Sequence, residues 1–553
     1  MLQYGMAVAV MLFVCIGMKQ SAAAEDVLLK VSQVVIYAGD RVELKDYVNE
    51  EYQKDVSYAW EGETPDPALA VMTEDGTVRS KAVGEVRVRV TWQDAKENPR
   101  EEVLYLSMIA PEELSMEYGS KINLAAADLY EKQEITYQAA VDSVLVSEKG
   151  ILTAQGFRDT KIEAVRADGT SFTVANVTIL EPKLAKDTIV RAVGTKGYQA
   201  EIQYFSLSNA AESIQWKIAD QSIATWDAQG CQARKKGSTT ADVVLTAQNG
   251  DQKTLKVNII VTDPSLSVTS IIMAAGTSQK IKVSGTHTAS EIVWGNHAGD
   301  HAYFSSDGVI YASDAGTSTL KVTVDGKELT CKVQVSNPGY RDLTVIMYKG
   351  QAKKLSLTGT LKKSKISFAS ANKKILTISS AGKMKAKKTG HATIKVTADG
   401  KSFSILAEIS SKKGYLAMKK AIAISKTKTE YSQAKRMSKG YYDCSSMVSR
   451  VYRNYGVYFG SRRGWSPVAA NIGQWCVKHH KVVAYKAVSY KKLLPGDLIF
   501  FSSQRNGRYK NITHVEMYTG GATDVSASSR YNKVVHYGYS RSEEIVLIAR
   551  PTK

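Results

Sequence analysis

Two different periods run along this chain. Up to about residue 410, apolar and polar residues alternate. Val86, Val88 and Val90 are separated by Arg87 and Arg89, and Leu320, Val322 and Val324 by Lys321 and Thr323. A strand shows successive side chains to opposite faces, so each run predicts a strand with one buried face. Many short runs broken by glycine turns predict sandwich modules rather than one large sheet. After Gly414 the period changes. Leu416, Ala417, Met418, Ala421 and Ile422 have helical spacing, and Val448, Val451, Tyr452 and Tyr455 share one helical face. Helices together with the apolar run Leu498–Phe501 predict an α+β domain at the end of the chain.

The alternating part is repetitive. Five copies carry an aromatic strand, a glycine turn, a short run and a long alternating strand, with turn glycines at Gly76, Gly150, Gly230, Gly308 and Gly382. Consecutive glycines lie 74, 80, 78 and 74 positions apart. The aromatics Trp60, Tyr137, Trp216, Trp294 and Phe368 are expected to fill the space between two sheets. The second copy departs from the pattern, with Gly156 only six positions after Gly150. Breakers such as Pro111, Pro182, Pro264 and Pro338 divide the chain into sandwiches at 25–109, 110–181, 182–263, 264–338 and 339–411, with the last domain at 412–553. The copies resemble bacterial immunoglobulin-like domains of group 2, the fourth and fifth most closely. The expected fold is therefore multidomain, with tandem all-β immunoglobulin-like sandwiches preceding the α+β domain.

Charge sharpens this division. The formal net charge of +19 is the sum of two opposed parts. Residues 1–340 hold 32 Lys+Arg against 44 Asp+Glu, and residues 341–553 hold 41 against 10. A basic C-terminal part implies an anionic partner. No nucleic-acid motif accompanies it. An apolar stretch from Met6 to Met18 followed by Ser21-Ala22-Ala23-Ala24 predicts a secretory signal at 1–24, cut before Glu25. The stretch is shorter than the roughly 20 residues of a membrane span, so no span is expected. The later cysteines, Cys231, Cys331, Cys444 and Cys476, are too scattered for a disulfide framework, which leaves only a Cys231–Cys331 pair open. Cys476, His479 and His480 lack a second ligand pair at zinc-site spacing, so no metal is expected.

One of these cysteines stands where chemistry is possible. In Asp443-Cys444-Ser445-Ser446, Asp443 suits a helix N-cap and Cys444 falls in the first turn. Free backbone N–H groups and the positive helix end favour a thiolate there, which is what a nucleophile needs. The competing reading is a small apolar residue at the start of a core helix. Downstream come Pro495-Gly496-Asp497-Leu498, and then His514-Val515 opening a strand that ends Tyr518-Thr519-Gly520.

That order resembles the NlpC-type cell-wall peptidases, papain-like thiol hydrolases of peptidoglycan. The resemblance covers about residues 412–553. It implies Cys444 as nucleophile, His514 as general base and Tyr431 lining the site. By the same likeness Asp443, Ser445 and Trp465 belong to the substrate side. The family's third polar residue lies about twelve positions after the base, where this chain has Ser526. Asp524 shares its strand face and carries a charge, and His536 is a weaker candidate. The implied activity is cleavage of stem peptides between D-glutamate and the diamino acid, with no metal or organic cofactor. The implied location is secreted and wall-associated, with peptidoglycan and the anionic cell wall as partners. Two alternatives remain open: an inactive adhesin or wall-binding structural protein, and thiol chemistry on a different bond.

Overall fold

A computed structural model describes residues 28–93, 97–208, 210–295, 300–342, 344–461 and 464–553. The expected signal segment lies outside the described residues. The chain divides into two compact units, residues up to Thr262 and residues from Asp263.

Alternation becomes sandwich geometry throughout. In the stretch 264–338, Gly316–Val324 buries every second residue against Val333, Val335 and Met273. The stretch 339–411 shows the common plan. Strands Thr344–Tyr348, Lys401–Ser410, Gly390–Ala398 and Ile366–Ser370 form one sheet in that order. The first pair is parallel and the others antiparallel. Ala352–Lys354, Lys383–Ala386 and Leu376–Ile378 form the second sheet. Between the sheets lie Val345, Met347, Leu376, Met384, Ile394, Val396, Ala407 and Ile409, all buried.

The repeated aromatics do not fill that space. Trp294 and Phe368 are only partly buried and pack against the edge of their cores. They cover the turn glycines instead. Gly308 has φ +79°, and a Cβ there would lie 2.4 Å from the Trp294 ring. In these two copies the aromatic and the glycine are coupled because the ring packs on bare backbone in the left-handed region. The Cys231–Cys331 pair is also corrected: both thiols are buried and free.

In the last domain six strands form one antiparallel sheet in the order Val482–Ala484, Ile545–Ala549, Leu498–Phe501, His514–Gly520, Thr523–Ser528, Lys533–Gly538. Helices Lys412–Ser425 and Cys444–Arg453 pack on it through Ala417, Met418, Met447, Val448, Val451 and Tyr452. The Pro-Gly-Asp turn ties these layers together. Gly496 has φ +93°, and a Cβ there would lie 2.7 Å from the Gly414 carbonyl oxygen. Buried Asp497 accepts from Arg550 Nε at 2.7 Å and from Leu494 N at 2.8 Å.

The last domain is docked on the preceding sandwich. Ser410 Oγ donates to the Pro495 carbonyl at 2.6 Å, and His391 Nε2 lies 2.7 Å from the Leu493 carbonyl. Fully buried Glu408 accepts from Tyr518 OH at 3.0 Å. Burial pushes the Glu408 carboxyl up to about 7, against the hydrogen bonds from Tyr518 and Gly521, and the charge of Asp497 pushes the same way. The folded state therefore holds this proton more tightly than the unfolded chain does. That stabilisation is full below the ordinary carboxylate range and is lost as pH rises through about 7. Glu408→Gln should accordingly stabilise the fold at pH 8, by roughly 3 kcal/mol, and much less at pH 5. Equal effects at both pH values in thermal melts would contradict this.

Candidate active site

The site begins at a helix cap. Asp443 accepts from Ser446 N at 2.7 Å, and Ser446 Oγ accepts from Asp443 N at 2.9 Å, a reciprocal capping box. This cap fixes the first turn of Cys444–Arg453 and sets Cys444 as its first residue. Cys444 is 7% exposed, whereas the other three described cysteines are 0% exposed. Burial pushes the Cys476 and Cys231 thiols up, as expected of inert core cysteines.

His514 opens its strand opposite Phe501. The Cys444 side chain lies near enough to its ring to favour the protonated form. Nε2 faces two oxygens on the other side, Glu516 Oε1 at 3.2 Å and Ser526 Oγ at 3.3 Å. Burial works against the imidazolium. The hydrogen bonds and charges of Cys444 and Glu516 outweigh it and push His514 up to about 10. At neutral pH this arrangement favours a protonated ring.

Ser526 therefore reaches the ring, as its position suggests. Asp524 makes no hydrogen bond to it among the described residues. Asp524 is 1% exposed and its Oδ1 has no partner. Burial, followed by the charge of Glu516, pushes its carboxyl up to about 8. It thus stays largely protonated at neutral pH and cannot supply the negative charge. His536 turns to Thr519 Oγ1, 2.9 Å away.

Tyr431 lies beside Tyr442 in a short parallel pairing, and its half-buried phenol feels the charge of Cys444 after the larger effect of burial. Asp443 and Ser445 are buried and serve the cap: Ser445 Oγ donates to Asp443 Oδ1 at 3.1 Å. Trp465 is 60% exposed. It lines a groove with Phe459, Pro467, Trp475 and Tyr509, whose lining does not include Cys444 or His514.

Three residues escape the sequence reading. Glu516 is two positions beyond His514, so alternation alone places both on one face. Tyr537 OH donates to Glu516 Oε1 and lies 3.2 Å from Ser526 Oγ, a contact that depends on long-range strand pairing. Arg436 Nη2 donates to Ser445 Oγ at 2.9 Å and to the Ser466 and Pro467 carbonyls at 3.0 Å, and its Nε lies 3.2 Å from Asp443 Oδ2. It staples the cap to the neighbouring loop, and no sequence signal marks it.

A cysteine on a capped helix start and a histidine on the adjacent sheet, its far nitrogen held by a carboxylate, define a cysteine peptidase domain of α+β architecture. Residues 427–544 match the model of the NlpC/P60 family, and residues 341–405 match that of the bacterial Ig-like domain (group 2). The C-terminal domain is thus an NlpC/P60 domain, preceded by immunoglobulin-like sandwiches. Similar solved structures include NlpC2 from Trichomonas vaginalis, at 14% identity over 48% of this chain and 100% of that one, TM-score 0.20. The NlpC/p60 domain of the peptidoglycan hydrolase SagA is 20% identical over 25% of this chain and 97% of its own, TM-score 0.18. The insect immune protein hemolin is 12% identical over 56% and 98%, TM-score 0.15. No curated protein is similar to the chain.

Proposed function

We propose that the chain is a secreted, wall-associated hydrolase that cleaves peptidoglycan stem peptides with Cys444 as nucleophile and His514 as general acid and base. The observation that carries this reading is a His514 ring that responds to the neighbouring Cys444 while its Nε2 meets Glu516 Oε1 at 3.2 Å and Ser526 Oγ at 3.3 Å.

The Cys444 sulfur attacks the γ-carbonyl carbon of D-glutamate in its bond to the diamino acid. Backbone N–H groups at the helix start stabilise the developing oxyanion. The C–N bond then breaks, and His514 delivers its proton to the leaving amine. A thioester remains. Water attacks it, His514 takes the water proton, and the glutamyl carboxylate leaves as Cys444 is regenerated. The Glu516 carboxyl group and the Ser526 hydroxyl hold the ring in the orientation this relay needs. None of these steps calls for a metal or organic cofactor. Incubation with isolated peptidoglycan should release soluble peptides from the parent protein and none from His514→Ala. Equal release by both would defeat the proposal and leave the wall-binding structural reading in its place.

A further inference from the structure

The sandwich at 339–411 carries 15 Lys+Arg against 3 Asp+Glu, and one of those acids, Glu408, is buried in the contact with the last domain. The excess is concentrated on one surface. In its three-stranded sheet, Met384, Ala386 and Leu376 point into the core, while Lys383 and Lys385 point outward. Lys354 stands directly across from Lys383. Like charges placed opposite each other destabilise a strand pair. Lys387 and Lys388 continue the row, joined through backbone bonds to Ile375 beside Lys373 and Lys374. Among the described residues none of these lysines has a carboxylate partner, since no ion pair falls within this sandwich.

The preceding sandwich shows that the fold does not require this. Its residues Lys280, Val309, Tyr311 and Tyr303 stand 74 positions before Lys354, Lys383, Lys385 and Thr377. There Lys280 pairs with Asp307 at 3.2 Å. The counterpart of Asp307 is Ala381, so the same scaffold has lost the neutralising acid and gained lysines. The opposite sheet presents Ile346, Glu408 and His391 in one cross-strand row toward the last domain. The lysine face therefore lies across the sandwich core from that docked surface and stays open.

We infer that this face is a docking surface for a linear phosphodiester polymer of the cell wall. The partner is anionic, because an anionic chain laid along the face would offset the repulsion between Lys354 and Lys383 and meet the lysines around them that have no acid partner. It is a linear chain because outward lysines along a strand repeat about every 6.6 Å, twice the strand rise, in a straight row. A lipid surface fits poorly: beside the lysines the outward positions hold Ala352 and Thr377, with no large apolar side chain to insert. The inference rests on the reading that the chain works at a cell wall, but it concerns a surface separate from the catalytic residues.

The test uses the full-length protein and poly(glycerol phosphate) as probe. K354Q/K383Q/K385Q/K387Q should weaken binding at least about tenfold and reduce the salt slope by roughly three, because four lysine contacts are lost. The control K419Q/K420Q/K491Q/K533Q removes the same charge from the last domain and should weaken binding less than about twofold. Unchanged binding by the first variant, an equal loss in the control, or a larger loss for anionic lipid vesicles than for the polymer would overturn the inference. Cleavage of a soluble stem peptide should be the same in both variants and the parent. A failure of polymer binding is thereby distinguished from a failure of the hydrolase reading.

Discussion

Replacing Cys444 by alanine should abolish cleavage of a soluble stem peptide, with kcat/KM falling by at least about 10⁴-fold, roughly 5.5 kcal/mol of transition-state stabilisation. The expectation follows from placement. Cys444 is the first residue of a capped helix and acts electrostatically on the His514 ring, whose Nε2 is held by Glu516 and Ser526. The fold should survive, because alanine fits the same first turn and the cap belongs to Asp443 and Ser446. Cys476→Ala is the informative contrast. That thiol is 0% exposed and part of the core, so its loss should lower the unfolding midpoint while leaving the activity of folded protein near parental. A folded Cys444→Ala protein with parental activity would exclude the thiol mechanism.

The second large effect is expected at Glu516. Burial disfavours the His514 imidazolium, and Cys444 and Glu516 together restore it. With Glu516→Gln the ring keeps Ser526 but loses a charge at 3.2 Å. The protonated ring then survives to a lower pH than before. The alkaline limb of the kcat/KM profile, expected near 10, should move down by at least about one unit, or about 1.4 kcal/mol. The rate at neutral pH should fall at least about tenfold as ring orientation is lost. Ser526→Ala should cost less and leave the alkaline limb in place, since a hydroxyl contributes a dipole and no charge. Asp524→Asn should be nearly silent at neutral pH, because that carboxyl already holds its proton. An alkaline limb unmoved in Glu516→Gln would remove Glu516 from the account.

What could be read from the chain follows the range of each interaction. Strand faces such as Gly316–Val324 were legible because alternation is local. The Asp443 cap and the Cys444 position were legible because a helix start is written in four residues. The role of the aromatic residues is not legible from spacing: only packing shows the Trp294 ring lying on Gly308 at the edge of a core that already holds Phe304. At the ring's second nitrogen the downstream strand drew attention to Ser526 and Asp524, and only strand pairing separates them. Ser526 reaches the ring, while Asp524 turns into a site without a partner for its Oδ1. Glu516 was within reach of simple alternation. Tyr537 and Arg436 were not, since their contacts depend on a hairpin partner and on a loop thirty residues away.

The most direct measurement is mass spectrometry of the products after the full-length protein is incubated with isolated peptidoglycan. The account predicts fragments that end in D-glutamate with a free γ-carboxyl, matched by fragments that begin with a free amine on the diamino acid. Neither should form with Cys444→Ala. New sugar reducing ends, cleavage at another peptide bond, or the same fragments from the alanine variant would contradict it.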